Sequence, residues 1–422
     1  MPLSKELPQP ATTEKAKTST LVIFALMWFG VTFNNSLSAY MLPKTIEAID
    51  NDPRTIGLLL ALNPLFGLIA QPLVGLLSDR IWTPIGRRAC FIIISAPMVA
   101  ICLIFIPEAT LLWHLFILVL FFEFFHDVIV GSDHPLIADL IAPKDRMMAN
   151  AIIMIAIQLG SMAMLYVGMG IIVRDFGDTR LFHVAAVVQI LFVMTPAFFL
   201  NEKPVQRLPR PKLTIARYVT DLWHSRPLRK LALTNFWIAA FDNLIKVFMV
   251  LYATNALGST KPEFGERWFI HNVVALALAL PVGLLIESKI PKQLAIMVGI
   301  GFELAACIFA LFADDINDIY WIALLFGTGF VIKGTTFKPF FTEFIPKDII
   351  GQVSGAINIF YAVGRLLVTY GGGWIVYAFS GNYRILFYFA IAAGICGAIT
   401  VASVRDERFH QRKTSESATQ LE

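Results

Sequence analysis

Long apolar runs broken by short polar joints recur along the whole chain. Twelve can be marked, near 19–41, 55–78, 88–106, 111–141, 147–173, 181–200, 230–256, 268–287, 292–313, 318–344, 350–379 and 383–403. Each approaches or exceeds the roughly 20 apolar residues that a helix needs to cross a bilayer. The pattern predicts an all-α polytopic membrane protein of 12 transmembrane helices in two pseudo-symmetric six-helix bundles. Numbering the runs from the N-terminus and alternating sides, 23 of the 34 Lys and Arg fall on the side of the termini, 7 on the other side and 4 inside spans. Short-loop positive charge faces the cytoplasm, so both termini are expected there, in a multi-pass protein of the cell (inner or plasma) membrane.

Composition agrees. Apolar residues make up 57% of the 422 and charged residues only 15%, against about a quarter in soluble domains. That excludes a soluble globular enzyme, a disordered regulator and a disulfide scaffold. The net charge of +4 decides nothing by itself. Cys90, Cys102, Cys307 and Cys396 all lie in apolar runs, where thiols behave as small hydrophobes. Residues 1–18 read as a flexible polar tail and 404–422 as a second one, both cytoplasmic. No cleavable leader is expected, because the first apolar run is too long for one.

The longest polar gap, 201–229, divides six runs (19–200) from six (230–403). It is basic and holds Pro204, Pro209, Pro211 and Pro227. Juxtamembrane basic clusters fix topology or touch anionic lipid, so this linker is read that way and nucleic acid is not expected as a partner. The two parts resemble each other. VGSDHPLIADLIAPKDR from Val130 parallels KGTTFKPFFTEFIPKD from Lys333, pairing Pro135 with Pro339 and Asp139 with Glu343. VGLLSDR at Val74 parallels VGLLIESK at Val282. Offsets near half the chain length indicate a duplicated six-helix unit, in parallel orientation because each unit has an even number of spans. Duplicated units with a site at their interface are transporter architecture.

Between spans 2 and 3 stands GLLSDRIWTPIGRRACFI, from Gly75 to Ile92. Gly75 lets spans approach. Asp79 closes span 2. Arg80, Gly86, Arg87 and Arg88 form a loop whose guanidinium groups are placed to bridge to carboxylates and helix C-terminal carbonyls. Such a loop can latch one access state; a plain topogenic loop is the alternative. The run resembles the cytoplasmic loop of the major facilitator superfamily. Five residues, Ile81 to Ile85, separate its Asp-Arg from its Gly-Arg-Arg where the usual form has one. That spacing resembles the sucrose:proton and the glycoside–pentoside–hexuronide:cation symporters, as do NPLFGLIAQPLVGLLSDR (Asn63–Arg80) and GQVSGAIN (Gly351–Asn358). The resemblance implies a secondary active transporter, a proton-coupled symporter of a sugar or glycoside, with spans 1, 4, 7 and 10 around a central cavity.

Ionisable groups inside spans are costly and mark solute or proton paths. Span 4 carries Glu123, His126, Asp127, Asp133, His134 and Asp139. At about 100° per residue, Glu123, Asp127 and His134 share one helix face, where carboxylates can bind and release a proton. A structural ion-pair network with span 10 is the alternative. The sucrose-symporter pattern in this helix is Asp, two Asn, Gly, Arg, then Ala-Asp-Leu. Matched on Gly131 and Ala138-Asp139-Leu140, it puts Glu123 at the Asp that handles the coupling proton. It puts His126 and Asp127 at the Asn pair. His134 falls at the Arg, a departure that exchanges a permanent charge for a titratable group.

Elsewhere, Lys333 and Lys338 in span 10 are candidates to face the span 4 carboxylates or an anionic solute, with snorkelling as the alternative. In span 7, Asp242 and Lys246 are spaced to pair with each other. Asn34, Asn35 and Gln158 offer donors and acceptors that suit sugar hydroxyls, or join helices. Glu303 and Arg365 stand isolated in spans 9 and 11 and receive no role. No GxxxxGKS, HExxH or GxSxG motif occurs, so neither an ATP-driven pump nor a membrane hydrolase is supported. No cofactor and no metal is expected, and no enzyme activity. The expected partners are a sugar-like solute, a coupling cation (most simply H⁺) and the lipid bilayer, with the protein monomeric. The competing reading is a proton-coupled antiporter exporting an organic anion or drug-like solute.

Overall fold

The computed structural model describes residues 18–78, 81, 83–141, 145–200, 202, 226–288, 290–342 and 350–404. The expected tails and linker fall almost wholly outside these, as do Asp79 and Arg80. Among the described residues, 12 helices are long and apolar enough to cross a membrane. They are α1 (Thr18–Ile49), α2 (Pro53–Ser78), α3 (Ala89–Glu108), α4 (Leu112–Leu140), α5 (Met148–Phe176) and α6 (Asp178–Ala197), then α7 (Leu228–Ala256), α8 (Lys261–Leu285), α9 (Lys292–Phe312), α10 (Asp318–Thr342), α11 (Ile350–Ala378) and α12 (Ile385–Ser403).

Two boundaries differ from the sequence reading by more than three residues. Helix α1 runs on to Ile49 through a bend at Met41, just before Pro43. Helix α8 begins at Lys261, seven residues earlier than its apolar run. Its first turns, KPEFGERW, are polar, and a capping box sets their start: the Thr260 hydroxyl accepts from the Glu263 amide, and the Glu263 carboxylate accepts from the Thr260 amide. A hydropathy pattern does not register a helix that is polar because it lies at the membrane edge.

The duplication is visible in the packing. In the first half α1 packs on α5 and α6, α2 on α4, and α3 on α4 and α6. In the second half α7 packs on α11 and α12, α8 on α10, and α9 on α10 and α12. Each helix of one half thus meets the same partners as its counterpart six helices later. The halves join along two seams, α2 against α11 and α5 against α8.

Both seams are closed at the end of the bundle away from the termini. Gly57 of α2 and Gly373 of α11 touch backbone to backbone: a Cβ on Gly373 would sit 2.3 Å from the Pro53 carbonyl oxygen. The Arg54 guanidinium lies over the Tyr377 ring, 3.8 Å from its centroid. On the other seam Arg174 pairs with Glu266 at 2.9 Å and Lys261 pairs with Asp178. The Asn255 amide donates to Glu47 at 2.6 Å, also across the halves.

Candidate functional site

At mid-depth, between the halves, lies a cavity of about 240 Å³. Its wall is polar for a membrane interior: Asn35 and Ser38 from α1, Asn63 from α2, Asp242, Asn243 and Lys246 from α7, and Tyr361, Arg365 and Thr369 from α11.

Glu123 stands just behind this wall. It is buried, and its carboxylate accepts from the Ser38 hydroxyl at 2.5 Å and from the Asn63 amide at 2.7 Å. The Asn63 amide is used at both ends, because its oxygen accepts from the Arg365 guanidinium at 2.7 Å. Arg365 also donates through Nε to the Asn243 oxygen at 3.2 Å, and the Asn243 amide donates to Thr369. A buried carboxylate of the first half is therefore wired to a guanidinium of the second through one amide. Asp127, one helical turn on from Glu123, is buried too and accepts from the Gln71 amide at 2.7 Å. The other Asp127 carboxylate oxygen, both oxygens of Asp133 and both ring nitrogens of His126 are buried without a partner among the described residues. Helix α4 thus carries into its apolar span several buried polar groups with no partner among the described residues, a costly arrangement.

A second polar bridge crosses the α5–α8 seam. The Asn272 amide donates to the Ser161 hydroxyl at 3.1 Å, and Ser161 in turn accepts from Ser36 at 3.0 Å. Gln158 donates to the Asn272 carbonyl at 3.5 Å, so it serves this bridge. Asn34 is buried and donates to Gln189 of α6 at 2.6 Å. It joins helices within the first half, while its neighbour Asn35 faces the cavity.

The charges of the second half are arranged differently from the sequence expectation. Asp242 pairs with Lys333, not with Lys246, whose ammonium sits 3.6 Å from the centroid of the Phe330 ring. Lys333 also pairs with Glu303 at 2.6 Å and is buried. It stays within its own half, and Arg365 is the cation wired to the acid of α4. The side chains of His134 and Lys338 lie outside the described residues. Sequence reasoning passed over Arg365 and Glu303 because each stands alone on its helix. The signal available was only that an isolated charge in a span needs a partner from elsewhere.

The loop after α2 is built on Glu202. Its carboxylate accepts from the backbone amides of Arg87 (3.0 Å), Arg88 (3.0 Å) and Ala89 (2.7 Å), at the N-terminus of α3. Gly86 has φ +128°, and a Cβ there would lie 2.8 Å from a Glu202 oxygen. Arg87 and Arg88 are buried and both pair with Asp139 near the end of α4, Arg88 at 2.9 Å. The loop therefore ties together α3, α4 and the end of α6. At Gly75 a Cβ would meet nothing within 4 Å, so this glycine makes no close approach here.

Two like halves with a polar cavity between them and seams closed at one end match the duplicated architecture of secondary transporters. Comparison with known proteins agrees. The sequence signature of the Major Facilitator Superfamily matches residues 24–369, and the chain belongs to that superfamily. In solved structures, the nucleoside transporter NupG (D323A mutant) superposes with a TM-score of 0.75 at 12% identity, over 92% of this chain and 100% of that one. A bacterial homolog of the human lysosomal transporter Spinster, inward-facing and occupied, gives 0.70 at 15% identity, over 93% and 96%. Among curated proteins, the sucrose transport protein SUC3 of Arabidopsis thaliana is 24% identical over 164 residues. That match takes in 34% of this chain and 28% of the length of the relative.

Proposed function

We propose that the chain is a proton-coupled symporter of a small, hydroxyl-rich, sugar-like solute, with both termini cytoplasmic and the cavity opening toward the cytoplasm. The observation that carries the reading is the Glu123–Asn63–Arg365 connection beside the cavity. While Glu123 is ionised, Asn63 and Arg365 are held on it. A proton on Glu123 removes that charge and leaves Asn63, Arg365 and Asn243 free to bind hydroxyls of a solute. Solute and proton together then supply what the two halves need to rearrange, and neither alone does. The cavity, at about 240 Å³, falls below the roughly 300–1,000 Å³ of sites that enclose drug-sized ligands, which favours a small solute over a drug-like one. The partial likeness to a sucrose transport protein points the same way.

A second reading, exchange of protons for an organic anion, draws on one feature. Lys246 lines the cavity and has no ion-pair partner among the described residues. The test is uptake into proteoliposomes under an imposed pH gradient, with sucrose, glucose, glucuronate and citrate as probes. Inward accumulation of a neutral sugar with the gradient supports the symporter. Acceleration only of anion exit supports the exchanger, and movement of no probe under either gradient overturns both.

A further inference from the structure

The α7–α9–α10 region holds ionisable groups that the Glu123 path does not use. Glu303 of α9 is fully buried (0% exposed). One of its oxygens accepts from the Lys333 ammonium at 2.6 Å, and the other is buried with no partner among the described residues. Lys333 also donates to Asp242. One ammonium thus serves two carboxylates, in a place where an uncompensated charge is strongly disfavoured. The site is built, not accidental. Gly329 of α10 makes room for it: a Cβ there would lie 2.6 Å from Cγ of Glu303 and 2.4 Å from the Gly299 oxygen. Asp242 lines the cavity and Glu303 does not, so the three side chains run from the wet centre to a dry end behind it.

We infer that Asp242, Lys333 and Glu303 form a second proton-carrying site, in the half opposite Glu123, in which the two carboxylates share one proton. With that proton bound the group is neutral, and the ammonium is left to the other carboxylate. Loading proceeds from cavity water: Asp242 takes a proton, its bond to Lys333 loosens, and the ammonium belongs to Glu303. Return of the proton to water restores both ion pairs. The pair titrates as a unit, so no single carboxylate owns the step.

The other charged and titratable groups around the site are accounted for. Lys246 on α7 rests on the Phe330 ring. Cys307 lies one turn beyond Glu303 and is buried. His271 of α8, with Nδ1 2.6 Å from the Trp268 carbonyl oxygen, packs against α10. Arg365 of α11 is committed to Asn63 and Asn243. Helix α12 meets this region through Gly394, against Leu304 and Phe241.

Infrared difference spectroscopy of the detergent-solubilised full chain across a pH titration tests this without any solute. The wild type should show a protonated-carboxyl band that is lost in Glu303→Gln. The same band should be lost in Asp242→Asn, because either change leaves one carboxylate matched to one ammonium. Glu123→Gln should leave that band in place, so failure of the Glu123 reading is seen separately. If Glu303→Gln does not fold, Asp242→Asn alone decides. A set of protonated-carboxyl bands left unchanged by both Glu303→Gln and Asp242→Asn overturns the inference. So does a wild-type spectrum with no band beyond the one that Glu123→Gln removes, the result expected if Lys246 supplies the balancing charge.

Discussion

Arg365 of the second half donates to Asn63 of the first at 2.7 Å, and Asn63 passes the contact to Glu123 at 2.7 Å. The link lies between the halves, and in the proposed transport cycle it is where they part and re-form. Residues that act through one shared amide should not contribute independently. Arg365→Gln and Asn63→Ala each remove the same connection, so a double variant should be less impaired than the two single losses predict. Interaction energies in such networks run to about 0.5–3 kcal/mol. Thermal unfolding of the four proteins in detergent measures it; strictly additive losses would show that Asn63 is not the connector.

Glu123→Gln keeps the shape of the side chain but not its charge cycle, and it replaces one of the two oxygens that accept from Ser38 and Asn63 with a donor. A gradient of one pH unit stores about 1.4 kcal/mol per proton, enough for about tenfold accumulation at one proton per solute. The variant should lose that accumulation and equilibrate to unity, while exchange of labelled for unlabelled solute persists. Wild-type accumulation in Glu123→Gln would remove this carboxylate from coupling.

Much of the architecture was legible in the sequence, and much of the site was not. Spans and duplication follow from hydropathy and a self-match, because lipid forces nearly every spanning residue to declare itself. The acids of α4 declare themselves in the same way, as five charged or titratable groups between Glu123 and His134. The partner of Glu123 did not. Arg365 lies on α11, and only the tertiary fold sets it opposite Asn63. Asp242 illustrates the same limit in reverse. Its spacing from Lys246 suits a pair within one helix, yet Lys333 of α10 takes it, because α7 and α10 bring the two together on the buried side while Lys246 is drawn onto an aromatic ring. Local spacing reports what one helix permits; the neighbouring helix decides.

The contact of Gly57 with Gly373 seals the end away from the termini. A side chain at Gly373 has no room there, since its first carbon would lie 2.3 Å from the Pro53 oxygen. Gly373→Val should wedge this seam and shift the population toward the state open at that end. Asn35, exposed on the cavity wall, provides the reporter. In a background with its native cysteines replaced, Asn35→Cys should react several-fold faster with an impermeant thiol reagent added from that side when Gly373→Val is present. Equal rates with and without the wedge would mean that this contact is not the seal.

Glu202 sits where the polypeptide leaves the first six helices, and its carboxylate receives three successive amides at the start of α3. A helix N-terminus presents unpaired N–H groups and a partial positive charge, so a carboxylate there both satisfies the donors and complements the dipole. Glu202→Gln retains an acceptor oxygen and loses the charge, which should cost about 0.3–1 kcal/mol. Glu202→Ala leaves the amides of Arg87, Arg88 and Ala89 without this partner and should cost about 1–2 kcal/mol, the upper part of the range for a lost cap. Because those amides hold the loop that carries Arg87 and Arg88 to Asp139, the alanine variant should also slow turnover, and the glutamine variant should do so less. Unfolding temperature and transport rate are measured on the same preparations. Two variants as stable as the wild type would show that the charge and the acceptor at α3 carry no weight, and that Gly86 and the two Asp139 ion pairs hold the loop by themselves.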